Sequence, residues 1–184
     1  MPDDREPAPD HVIDSRIIYG GKKATLRLDT IELGGGNTSI REIVEHPGVV
    51  AVVPIDSDGN VVLVRQYRLA AEAALLEIPA GVMDPGETPE KAAQRELAEE
   101  IGMRAGRLTP LAGFFVSPGI STEFIHLFLG EDLAPAEAEA DEDEDIVIRR
   151  LVLSDAVDLI ATGEICDAKT VTGLLLATER FGSA

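Results

Sequence analysis

The order of apolar and polar positions divides the chain into a strand-rich first part and a mixed remainder. Residues 12–19, 24–33 and 39–45 alternate or are rich in β-branched side chains, and Gly20-Gly21 and Gly34-Gly35-Gly36-Asn37 punctuate them as turns. Residues 49–55 form a near-continuous apolar run, the pattern of a strand covered on both faces. Asp56-Ser57-Asp58-Gly59-Asn60 then turns the chain, and residues 61–69 are predicted to return as the partner strand of a hairpin. Asp56, Asp58 and Asn60 imitate the opening of a calcium loop, but Val61 stands where that loop requires glycine, so the hairpin reading is preferred. A short strand at 75–78 ends in a turn at Pro79-Ala80-Gly81, and a loop continues to Glu87.

The best-marked helix covers 89–101. Thr88 is a good N-cap, Pro89 suits the first helical position, Glu90 complements the dipole, and Gly102 is placed to stop it. Further strands are predicted at 111–116, 124–129 and 146–153. Two helices close the chain, 155–162 after a Ser154 cap and 168–180 after an Asp167 cap. Val171, Leu174 and Leu175 would give the last one a buried stripe. The Ala/Pro/acidic stretch at 134–145 reads as a solvated loop. Strands dominating over helices point to an α+β fold, a sandwich of helices about a sheet.

Composition narrows the function. The 184 residues suffice for one packed domain with a small appendage, and residues 1–11, acidic and Pro-rich, read as a solvated tail unlike a targeting segment. With 16 basic against 34 acidic residues the formal charge is −18, which argues against nucleic-acid and membrane-surface partners, since such a chain offers phosphates no counterion release. No apolar run approaches the roughly 20 residues of a membrane span. Cys166 is the single cysteine, so no intramolecular disulfide or cysteine-cluster zinc site can form, which fits a cytoplasmic protein. It reads as an inert, semi-buried thiol, and His126 as a core or hydrogen-bonded histidine.

The candidate chemistry lies on the helix at 89–101. Glu96, Glu99 and Glu100 stand at i, i+3 and i+4, so successive turns bring all three toward one face, while Ala93, Leu97 and Ile101 would anchor the neighbouring face in a core. Like charges at this spacing repel by about 0.2–0.5 kcal/mol per pair. A hard divalent cation reverses that balance, and three carboxylates with waters and phosphate oxygens suit Mg²⁺. Taken alone, the three glutamates read more readily as a solvated helix face.

The surrounding residues change the reading. Gly81, five residues, Glu87, seven residues, and then Arg95-Glu96-Leu97-Ala98-Glu99-Glu100-Ile101-Gly102-Met103 match the Nudix box at every fixed position. The sequence therefore resembles the Nudix hydrolases, which cleave nucleoside diphosphates linked to another moiety. The resemblance implies an αβα sandwich around a mixed sheet. It further implies Glu96, Glu99, Glu100 and the Ala80 carbonyl as ligands of two or three Mg²⁺ ions, with Mn²⁺ as substitute. Glu99 and Glu100 count also as catalytic. Glu87 and Arg95 would form a pair holding loop and helix in register, Gly81 would permit a close turn, and Gly102 would end the motif.

Flanking segments resemble the ADP-ribose pyrophosphatase branch: Glu77-Ile78-Pro79-Ala80-Gly81 before the box, and the stretch from Phe115 to Glu123 after it, with Pro118 sixteen residues past Gly102. The resemblance implies hydrolysis of ADP-ribose to AMP and ribose 5-phosphate, with other sugar nucleotides (GDP-mannose, UDP-glucose) as alternatives and a non-catalytic binding module as a weaker one. Within it, Arg68 and Pro118 are substrate-side residues, Glu142 is the candidate general base, and Glu144 would help hold metal or water. Arg65 and Arg68, three apart on a strand, point to opposite faces, so Arg65 is assigned a structural or dimer-side role. Residues 12–46 would form an antiparallel β subdomain that makes a homodimer, strands crossing to the partner, and 47–184 the catalytic domain.

Overall fold

The computed structural model of the chain describes residue 6 and residues 8–137 and 145–182. It separates into two compact units. The first is an antiparallel sheet of β1 (His11–Gly20), β2 (Thr25–Glu32) and β3 (Thr38–Glu45), in that spatial order. The segment Ser117–Glu123 belongs to this unit, tied to β3 by Val44 N–H donating to the Ile120 carbonyl at 2.7 Å and Thr122 N–H to the Val44 carbonyl at 3.0 Å. Nothing in the local pattern of 117–123 announces that attachment. In the middle of the sheet, buried Asp29 accepts from Ser15 and Arg27, and these bonds hold its carboxyl below the usual range. Every residue of β1 is exposed.

The second unit comprises Gly48–Val116 and Phe124–Ala184. Its strands are β4 (Val49–Pro54), β5 (Asn60–Arg68), β6 (Ala73–Glu77), β7 (Ala80–Val82), β8 (Met103–Phe115), β9 (Phe124–Pro135) and β10 (Val147–Val152). The helices are α1 (Pro89–Ile101), α2 (Leu153–Thr162) and α3 (Ala168–Gly182). A four-stranded sheet runs β7-β4-β9-β8 and is mixed: β4 is parallel to β9, and the other pairs are antiparallel. A three-stranded antiparallel sheet runs β10-β5-β6.

Alternation along β4 explains the layering. Val50 and Val52 pack with Val62, Val64, Ala92, Ala93, Leu97 and Ile101, whereas Val49, Ala51 and Val53 pack with Leu63, Ala156, Ile165, Leu174 and Ala177. Both faces of one strand are thus covered, one by α1 and the other by α3, which is why 49–55 carries no polar face. The unit is an αβα sandwich. No described helix is long and apolar enough to cross a membrane.

Several sequence expectations are corrected. β4 and β5 do not form a hairpin: beyond the isolated Ile55–Val61 bridge they enter different sheets, because both edges of β4 are already taken by β7 and β9. Ala80 and Gly81 lie in a strand rather than a turn. β8 begins at Met103, well before the predicted 111; it is an edge strand, where Gly106, Arg107 and Pro110 are tolerated. Ser154 does not cap α2, which starts at Leu153 with no side-chain cap bond. Asp167 does cap α3, accepting from Thr170 N–H at 3.1 Å. Leu175 is 48% exposed, and the buried stripe of α3 runs through Leu174 and Ala177 instead. Cys166 is exposed, not semi-buried, since the apolar anchor of its turn is the preceding Ile165.

Candidate active site

Helix α1 is fixed at both ends by its own sequence. The Thr88 hydroxyl accepts from Lys91 N–H at 3.4 Å, and Gly102 adopts the left-handed conformation (φ 64°) that lets its N–H reach the Ala98 and Leu97 carbonyls. Leu97 and Ile101 are buried against the sheet. Gln94 adds a two-way clamp to β8, donating to the Ala105 carbonyl at 2.7 Å and accepting from Ala105 N–H at 3.0 Å. A helix held this firmly presents its polar edge to β7 in one register.

On that edge Glu96 and Glu100 are only 8% and 7% exposed, which sets them apart from an ordinary solvated helix face. Glu100 accepts from Ala80 N–H at 3.2 Å, bringing the helix carboxylate against the backbone of β7. Gly81, the next residue, is required by close approach: a Cβ built there would overlap the Glu96 carboxylate.

One guanidinium organises the rest. Arg95 donates to both oxygens of Glu87 (3.2 and 2.9 Å), to Glu96 (2.7 Å), to Glu99 (3.0 Å) and to the Val82 carbonyl (3.0 Å). The fork to Glu87 ties the loop after β7 to the helix. Through these bonds, Glu87 first, the Arg95 pKa is raised, and Arg95 in turn holds the Glu87 carboxyl below its ordinary value. Among the described residues, no three acidic, histidine or cysteine side chains stand close enough together to cage a metal by themselves. Glu99 in particular is turned to Arg95.

Arg68 is drawn to Glu77, donating to its carboxylate from Nε at 3.2 Å and from Nη2 at 2.7 Å. Lys169 Nζ reaches the same carboxylate at 2.8 Å and Asp167 at 2.9 Å. Burial works to raise the Glu77 pKa, but the Arg68 bonds and the Lys169 charge outweigh it and hold the carboxyl below its usual range. Glu77 and Lys169 were missed as candidates. The signal for Glu77 was a lone charge between Leu76 and Ile78 in an otherwise apolar strand; nothing local marks Lys169. Pro118 lies in the other unit, exposed at a turn where Ile120 N–H donates to the Ser117 carbonyl at 3.0 Å. Glu142 and Glu144 lie outside the described residues. His126 is half-buried, edge-on to Phe124 with ring centroids 5.0 Å apart.

The NUDIX domain family matches residues 45–172. The chain is 43% identical to an ADP-ribose pyrophosphatase of Bacillus subtilis (strain 168), over 83% of this chain and 84% of that one. It is 42% identical to a methanol dehydrogenase activator of Bacillus methanolicus, over 86% and 87%. The crystal structure of an ADP compounds hydrolase superposes with a TM-score of 0.87 at 27% identity, covering 97% of both chains. With its box residues assembled as described and a family match over most of its length, the chain belongs to the Nudix family.

Proposed function

We propose that the protein hydrolyses ADP-ribose to AMP and ribose 5-phosphate in a Mg²⁺-dependent reaction. The observation that carries this reading is the burial of Glu96 and Glu100 against Ala80 and Gly81, where a glycine leaves space for a carboxylate and a backbone amide orients another. The names of the Bacillus subtilis relative and of the superposed structure support the substrate class.

The donor set fits hard cations. Carboxylate oxygens of Glu96, Glu99 and Glu100 and the Ala80 carbonyl would hold two or three Mg²⁺ ions, or Mn²⁺ in substitution, with waters and substrate phosphates completing each shell. Bound there, the metal would neutralise the diphosphate and lower the pKa of a water. The protein's own part is positional. Arg95 keeps the helix and loop in register while its bonds to Glu96 and Glu99 orient these carboxylates. Arg68, steadied by Glu77, contacts the anionic substrate, with Pro118 on the substrate side. Glu142 accepts the proton of the attacking water as general base, and Glu144 assists at the metal or water.

The protein is further read as a cytoplasmic homodimer built through its N-terminal strands. The three-stranded sheet exposes Ile17, Tyr19 and Ile40, each more than 60% accessible, apolar surface that a second copy would cover. Sedimentation at several concentrations checks this: a dimer is expected, and a monomer throughout would refute it.

The reaction is tested by incubating purified protein with Mg²⁺ and a panel of nucleoside diphosphate sugars, with products identified by mass. AMP and ribose 5-phosphate from ADP-ribose are expected. Preference for a guanine or uracil substrate would overturn the substrate, and no turnover of any would favour a binding module.

A further inference from the structure

We infer that the face of β5 turned away from α1 carries a second anion site, a recess that takes a small phosphate monoester between Arg65 and Arg149. The strand register builds it. Arg65 stands opposite Leu76 on β6 and Val147 on β10, while Arg149 stands opposite Leu63 and Leu151 opposite Val61. Paired residues share a sheet face, and Val61, Leu63 and Leu76 belong to the core beneath α2 and α3 rather than to the one beneath α1. The recess has a volume of about 280 Å³ and is lined by Arg65, Leu76, Arg149, Leu151, Leu159 and Glu164.

Its polar groups are incompletely used. Arg65 Nη2 pairs with Glu164, but its Nε is buried and has no hydrogen-bond partner among the described residues. The Arg149 side chain is exposed and makes no hydrogen bond or ion pair among the described residues. Two guanidinium forks against one carboxylate form a cationic spot on a chain of formal charge −18. Planar forks match phosphate oxygens, and the leucine floor suits the carbon skeleton of the attached group. The volume lies just below the range of about 300–1,000 Å³ usual for small-molecule pockets, which suits one phosphate with a sugar and excludes a whole nucleoside diphosphate sugar. Glu164 is the internal competitor: it occupies Arg65 and repels the incoming phosphate.

The test is calorimetric titration of the full chain with ribose 5-phosphate, in the presence of EDTA so that metal-mediated binding at α1 is suppressed, with free ribose as control. Saturable binding at millimolar concentration or below is expected for ribose 5-phosphate and none for ribose. Arg149→Ala, a change at an exposed side chain, should weaken binding at least about tenfold at unchanged melting temperature. Glu164→Gln should strengthen it about threefold or more. Absence of binding in the wild-type chain, equal binding of ribose, unchanged affinity in Arg149→Ala, or weaker binding in Glu164→Gln would each overturn the site.

Discussion

Two carboxylate clusters of the second unit are built on opposite terms. Around Glu77 the charges balance: Glu77 and Asp167 face Arg68 and Lys169, and Glu77 itself is 2% exposed. Around α1, three carboxylates (Glu87, Glu96 and Glu99) draw on the single guanidinium of Arg95, and Glu100 takes its bond from a backbone N–H. The first arrangement suits a group that holds the fold together. The second shares the guanidinium of Arg95 among three carboxylates and places Glu96 and Glu100 beside strand backbone, an oxygen-rich setting that suits a divalent ion. Acidity alone therefore does not separate the two clusters; the way their carboxylates share the neighbouring cations does.

The comparison predicts different phenotypes. The largest effect is expected from Glu100→Gln, which keeps size and packing but weakens a proposed metal donor: kcat should fall at least about a hundredfold while the melting temperature stays close to wild type. Next comes Gly81→Ala. The added methyl meets the flexible end of Glu96, so the carboxylate must swing aside; kcat should fall at least about tenfold, with less than about 1 kcal/mol lost in denaturant unfolding. Glu77→Ala should show the opposite balance. Removing the buried partner of two cations should cost about 3 kcal/mol of stability by the same measurement. A large kcat loss at full stability in that variant would erase the distinction between the clusters.

The smallest and most graded effect is with pH. Glu77 and Glu87 both have lowered pKa values in the folded chain. Their stabilisation is therefore fully present above the ordinary glutamate pKa of about 4.3 and is lost as pH falls through the folded values. Unfolding free energies measured downward from neutral pH should drop through that window. In Glu77→Ala the drop should be shallower, and an identical slope would remove Glu77 from the account.

Local signals made much of this legible. The spacing of Glu96, Glu99 and Glu100, the Thr88 cap and Gly102 describe α1 to its ends, because capping and periodicity act within a few residues. The apolar run at 49–55 revealed a strand covered on both faces. Pairing was less accessible. The turn after β4 looked like a hairpin because the local rules favour one, but β9, which occupies an edge of β4, lies some seventy residues downstream. Likewise Lys169 reaches Glu77 across 92 positions, a separation no local pattern reports. Gly81 was identified from its motif for the wrong reason, a turn, when its role is to clear space for Glu96.

The central claim is that the carboxylates on α1 hold a divalent ion. Calorimetric titration of Mn²⁺ into the metal-stripped chain and into Glu100→Gln tests it most directly. Saturable uptake by the wild type, weakened at least about tenfold in the variant, is the predicted result. No uptake, or equal affinity in both proteins, would contradict it.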